Sequence, residues 1–252
     1  MIRLAKSIVE LAAAEALDPI GGAAVCALYR SYHPYPFADF YIWEVEGTIL
    51  GSLCRYDGGL NVCCGSNDTE ELAEFLKLLG GFQGADLPLQ LACQLHALRG
   101  GSVEEYTVMQ ALQPLQPLQL LKPTAERCHS AGTVCEINWA AGEACGDATA
   151  WIADFSHRMR HGSAAAFVMY RDGQAAATAS VSHIGQQSCI VGCVAARPQY
   201  QGHGLGKACA SAAIAHGQAL GLDTYLCCTP SLEGFYAALG CAPVGRRANY
   251  FM

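Results

Sequence analysis

The sequence predicts an α/β protein whose two halves repeat one order of elements. Three observations carry that expectation. Short apolar runs joined by Asp-Gly pairs mark adjacent strands with tight turns between them. Segments with apolar residues three and four apart mark amphipathic helices. The succession strand, strand, strand, helix, strand then occurs twice, about half a chain apart, although the halves share almost no identity. With 252 residues, 52% of them hydrophobic, the chain is long enough to bury a substantial core and too apolar to be disordered.

The opening stretch MIRLAKSIVELAAAEAL reads as an amphipathic helix, because Glu10 and Glu15 interrupt what would otherwise resemble a signal sequence. DFYIWEVE, a turn at Gly47, TILGSLCRY, the Asp57-Gly58 turn and LNVCC then give three strands. The helix that follows has Asp68 and Glu71 spaced like a capping box, with Leu72, Phe75, Leu76 and Leu79 on one face. Gly80-Gly81 ends it, and LPLQLACQL reads as the next strand. Pro114, Pro117 and Pro123, near the midpoint, suit an extended connector or an edge strand, which divides the chain into residues 1–125 and 126–252.

In the second half, WIADFSHRMRHG reads as a helix with Trp151, Phe155 and Met159 on one face and Ile152 beside it. That leaves His157, Arg158, Arg160 and His161 to a solvated face. AAAFVMY, the Asp172-Gly173 turn, QAAATASVSH and SCIVGCVAA are three strands. The next helix presents Leu205, Cys209, Ala212, Ala213, His216 and Leu220 on one face and stops at Gly221, and DTYLCC is a buried strand.

Composition excludes several classes of function. The net charge is −7, with 7 Lys and Arg against 14 Asp and Glu in the first half and 8 against 8 in the second. An acidic chain without a basic patch is a poor partner for nucleic acid. No apolar run reaches the ~20 residues that cross a bilayer, so a cytoplasmic protein without a membrane partner is expected. The 14 cysteines sit in apolar strings such as NVCCG and CIVGCVA, without a C-x-x-C pair, and Cys128 and Cys135 lack the spacing of common zinc sites. They read as buried reduced thiols, with no metal expected.

One motif carries chemistry. Gln201-Gly202-His203-Gly204-Leu205-Gly206-Lys207 follows an apolar strand and opens a helix. Glycines this dense call for a close approach of backbone, and free N–H groups at a helix start suit phosphate. A Walker A loop is excluded, because Ala208 follows Gly206-Lys207 where a hydroxyl is needed. A dinucleotide fingerprint fits poorly, since Lys207 replaces the third small residue and Asp223 begins the following strand instead of ending it. At the matching junction of the first half, CCGSNDTEE, the acids Asp68, Glu70 and Glu71 would repel phosphate.

The run fits Q/R-x-x-G-x-G/A and resembles the acetyl-CoA motif of the GNAT (Gcn5-related N-acetyltransferase) superfamily. The end of the chain, TPSLEGFYAALGCAPVGRRANYFM, resembles the family's closing segment, with Phe235-Tyr236-Ala237-Ala238-Leu239-Gly240-Cys241 leading into a last strand. The two motifs cover roughly residues 145–252, and the first half resembles a degenerate copy of the same fold, as in bacterial two-lobed members. The resemblance implies two lobes, each a mixed, mostly antiparallel sheet flanked by helices, with only residues 126–252 binding acyl-CoA. It implies acetyl transfer from acetyl-CoA, as cosubstrate, to a primary amine by direct attack.

By the same resemblance, Val194, Ala195 and Ala196 pair their backbone with the pantetheine arm. Gln201, Gly202, His203, Gly204, Leu205, Gly206 and Lys207 hold the pyrophosphate, and Tyr236 protonates the leaving thiolate. Two departures stand out. Thr229, followed by Pro230, occupies the place of a frequent Asn and takes part of its role with the cofactor. DTYLCC offers Thr224 where many members carry a basic Glu, so His183, ending the second strand of this half, becomes the candidate base. The partners implied are a small-molecule or peptide amine acceptor and no nucleic acid or membrane, with a homodimer left open. The alternative function is a non-catalytic acyl-CoA-binding sensor or interaction module.

Overall fold

A computed structural model describes residues 1–66, 69–112, 125–143 and 146–252. The first half runs β1 (Ile2–Leu4), α1 (Ile8–Glu15), α2 (Pro19–Tyr32), β2 (Ala38–Val45), β3 (Thr48–Tyr56), β4 (Gly59–Cys64), α3 (Glu70–Leu79), β5 (Gly84–Pro88), α4 (Leu89–Arg99) and β6 (Ser102–Ala111). The second runs β7 (Glu126–Cys128), α5 (Ala131–Ala141), α6 (Ala148–Arg160), β8 (Ala165–Arg171), β9 (Gln174–Ile184), β10 (Ser188–Ala196), α7 (Leu205–Ala219), β11 (Asp223–Cys228), α8 (Glu233–Ala237) and β12 (Cys241–Phe251). Strand, two helices, three strands, helix, strand, helix, strand thus occurs twice.

Local chemistry explains most of these elements. The hairpin turns Glu46-Gly47, Asp57-Gly58 and Asp172-Gly173 place both central residues at positive φ, the conformation that suits the twist of paired strands. Asp18 caps α2, accepting from the Gly21 amide, and Pro19 opens that helix without losing a bond. Asp147 caps α6 through the Thr149 and Ala150 amides.

Several expectations are corrected. Only the first two residues of LPLQLACQL are strand: β5 ends at Pro88, with Ala85 and Leu87 buried, and the rest opens α4, burying Leu91, Ala92 and Leu95 at helical spacing. The first residues form β1, paired with β2, before the N-terminal helix begins at Ile8. Asp68 lies outside the described residues. Thr69 stands at the N-cap position of α3 without a capping side-chain bond, and Glu71 accepts from Trp43 Nε1 and pairs with the terminal ammonium instead of closing a capping box. Pro114, Pro117 and Pro123 also lie outside the described residues. The polar side of α6 is not simply solvated. Arg158 is buried against Asp154, and His157 bonds the Ser31 carbonyl of α2, so this side faces the other half. Leu220, expected on the inner face of α7, is half exposed.

Among the described residues all strands belong to one 12-stranded sheet, ordered β1-β2-β3-β4-β5-β12-β6-β11-β10-β9-β8-β7. The halves exchange their last strands: β12 pairs with β5 of the first half, while β6 pairs with β11 of the second. In each half one parallel pair stays together briefly and then parts. β4 and β5 pair over Gly59–Asn61 and Gly84–Asp86, and β10 and β11 over Ser188–Val191 and Asp223–Leu226. In the first half Arg247 of β12 spans the parting, bonding the Val62 carbonyl of β4, Asp86 of β5 and Asp18. In the second half the parting is open.

Candidate functional site

The open parting begins with a bulge. The β9–β10 register shifts between Gly192 and Ala195, and Cys193 adopts φ +51°, strained for a residue with a side chain. β10 therefore swings from β11 and exposes Val194, Ala195 and Ala196 to a cleft of about 400 Å³.

A short turn at Pro198–Tyr200 leads from β10 into the glycine loop. Gly202 and Gly204 have φ +77° and +75°, so glycine is needed there by the backbone itself. Gly204 caps α7 without a side chain, and the first intrahelical bond is from the Ala208 amide to the Gly204 carbonyl. The amides of Leu205, Gly206 and Lys207 therefore precede the hydrogen-bonded ladder and carry the positive end of the helix dipole. Gly206 is different again: its φ is ordinary, and an added Cβ would meet nothing within 4 Å. Nothing inside the protein requires glycine there.

The sequence-predicted residues divide between two clefts. Val194, Ala195, Ala196, Gln201, Gly202, Gly204, Leu205, Gly206, Lys207 and Tyr236 line the first, with Leu205 also anchored in the core. His203 stands beside it, exposed, its Nδ1 on the Gln201 carbonyl. Tyr236 is buried with its ring edge-on to Phe235. Burial, reinforced by the Cys228 and Cys241 thiols and Glu143, raises its pKa, so the phenol keeps its proton.

His183 and Thr229 open instead into a second cleft, of about 580 Å³, beneath α2. Gly192 and Cys228 reach this cleft too, so both clefts meet the parting of β10 from β11. Burial, with Arg158 adding to it, pushes the His183 imidazole down to about 3, and its Nδ1 faces Ser182 Oγ at 3.2 Å. An imidazole that weak is a poor base for an alkylammonium. Thr229 Oγ1 pairs with Ser231 Oγ, and Thr224 is buried against Cys189. The second cleft also contains Asn61, Glu104, Tyr106 and Asn249, from the first half and the exchanged strand. Sequence reasoning missed these four because their only signal is long-range strand pairing.

A third cleft, of about 660 Å³, lies between the halves under the rings of Tyr32, Tyr35, Phe37, Tyr56 and His157. Asp154 at its floor is bound by Arg158 and the Tyr32 hydroxyl. Although burial opposes it, these partners hold the carboxyl below the usual carboxylate range. The thirteen described cysteines are free thiols, most of them buried, and among the described residues no helix is long and apolar enough to cross a membrane.

Residues 132–241 match the model of the acetyltransferase (GNAT) family. Among solved structures, the chain is similar to a tandem GNAT protein from the clavulanic acid biosynthesis pathway, at 14% identity and TM-score 0.60, covering 100% of this chain and 98% of that one. A GNAT-family acetyltransferase from Colwellia psychrerythraea is similar at 15% identity and TM-score 0.55, with the same coverage of 100% and 98%. A GCN5-related N-acetyltransferase from Sphaerobacter thermophilus is similar at 15% identity and TM-score 0.57, over 99% of this chain and 94% of that one. At such identities the structural likeness is one of fold. No curated protein matches the chain. The glycine loop at the head of α7 thus lies within the stretch, residues 132–241, that matches the acetyltransferase (GNAT) family model, in a chain whose fold is similar to that of solved GNAT proteins along its whole length.

Proposed function

We propose that the second half transfers an acetyl or other acyl group from acyl-CoA to a primary amine. The observation that carries this reading is Gly206, a glycine that no contact or dihedral within the protein demands, at a helix start with free amides. A pyrophosphate against the Leu205, Gly206 and Lys207 amides supplies the demand, and Lys207 adds positive charge. Gln201 and His203 shape the loop through their bonds to the Ala196 and Gln201 carbonyls. The pantetheine arm lies along Val194, Ala195 and Ala196 and brings the thioester to the parting of the two strands. The Arg247 side chain occupying the matching parting of the first half supports one cofactor site per chain.

The amine enters from beneath α2 and attacks the thioester carbon. A C–N bond forms, the C–S bond breaks, and the leaving thiolate takes the Tyr236 proton. Direct attack is supported by the neighbouring thiols. Burial pushes Cys193, Cys228 and Cys241 above the ordinary thiol range, so none is a ready nucleophile at neutral pH. In this reading His183 is no base; its neutral ring is a hydrogen-bonding group of the acceptor cleft, Thr229 borders the cofactor arm, and the amine's proton leaves to solvent. The want of a placed base favours the second reading, an acyl-CoA sensor without turnover.

Calorimetric titration of acetyl-CoA into wild type and Gly206→Glu tests the site. Micromolar binding to wild type is expected, weakened at least about tenfold in the variant at unchanged thermal midpoint. No binding to wild type overturns the reading. Tyr236→Phe separates the two functions: a transferase keeps acetyl-CoA binding and loses most turnover, whereas a sensor has no turnover to lose.

A further inference from the structure

The cleft beneath α2 has a chemistry of its own. At about 580 Å³ it falls within the range of small-molecule sites. Tyr106 lines the cleft, with its hydroxyl buried beside Asp86 and Arg247. Asp86, Glu104 and Glu105 line the cleft, and neither Lys nor Arg does. Arg247 pairs with Asp86 and Arg246 with Glu105, which leaves Glu104 as the lining carboxylate without an ion pair among the described residues. Between the polar end and the parting of β10 from β11, the walls are Ile20, Ala24, Ile190 and Val191.

We infer that the acceptor is a small aliphatic diamine, one amine reacting at the parting and the other held as a cation by Glu104. The inference rests on the transferase reading. Its length follows from the sheet: Thr107 of β6 pairs with Cys228, and Glu104 lies three residues further along the strand, roughly 10 Å away at about 3.3 Å per residue. An alkyl chain of several methylenes spans that distance and suits the apolar walls. The first half, lacking a glycine loop, thereby supplies the group that selects the acceptor, and strand exchange is what carries it there.

The test compares diaminohexane with hexylamine, as substrates with acetyl-CoA and as ligands titrated calorimetrically in the presence of CoA. Wild type is expected to favour the diamine about fivefold or more in kcat/KM, the size of effect an exposed ion pair supports. Glu104→Gln should raise KM for the diamine by most of that factor and leave hexylamine unchanged, at an unaltered thermal midpoint and acetyl-CoA affinity. Equal use of the two amines, acetylation of peptide lysines alone, or an equal effect of Glu104→Gln on both amines overturns the inference while leaving the transferase reading in place. If no amine is acetylated, the titrations decide. Diamine binding weakened by Glu104→Gln upholds the cleft's specificity while the transferase reading falls, and no diamine binding overturns the inference itself.

Discussion

His183 has an ordinary side chain in a setting that reverses its usual behaviour. Free imidazole titrates near 6.5, and here burial beside Arg158 brings it down to about 3. The unfolded chain therefore takes up a proton below about pH 6.5 that the folded chain refuses until about pH 3, so stability falls as pH drops through that window. Asp154, held low by Arg158 and Tyr32 against the effect of burial, weakens the fold only further down, as pH falls below about 4. Urea midpoints at neutral pH and near pH 5 should therefore differ in wild type and differ much less in His183→Asn; an unchanged difference would show that other groups set the acid sensitivity. His183 was legible in the sequence as a histidine ending a strand. Its weakness as a base was not, because it comes from burial in the folded sheet, with the charge of Arg158 added from a different element.

Elements repeat the same lesson in their partners. Glu15 reads in sequence as a charge that spoils a signal peptide, yet it is buried at the end of α1. Its carboxylate accepts from the Gln186, Gln187 and Ser188 amides and from Ser188 Oγ, at 2.6–3.0 Å, across a separation of more than 170 residues. α1 of the first half thus organises the β9–β10 turn of the second. Replacing the carboxylate by an amide turns an acceptor toward donors, so Glu15→Gln should cost about 1.5–3 kcal/mol in urea unfolding. A loss under a few tenths would show that the turn holds itself. The glycine loop was readable because its residues are consecutive and its strand and helix are strongly patterned. LPLQLACQL was misread because a short apolar run suits strand and helix alike, and Pro88 marks the boundary between them only once β5 has its pairing partners.

For the molecule as a whole, the exchange of β6 and β12 makes each half depend on the other. Separately produced residues 1–125 and 126–252 should each leave a sheet without its last strand and expose an unpaired edge. We expect neither to show cooperative unfolding alone, and the mixed halves to recover it; a cooperative transition in either half by itself would overturn this. The exchange also brings Tyr106 and Glu104 to the cleft that meets the open parting of the second half and sends Arg247 to the closed parting of the first. The order of elements, the tight turns and the glycine loop were written in short stretches of chain, because periodicity, turn residues and helix starts are local properties. Which strands are neighbours, which parting stays open and which residues face each cleft were settled in the folded sheet, because pairing joins residues more than 100 positions apart and leaves no pattern in either partner alone.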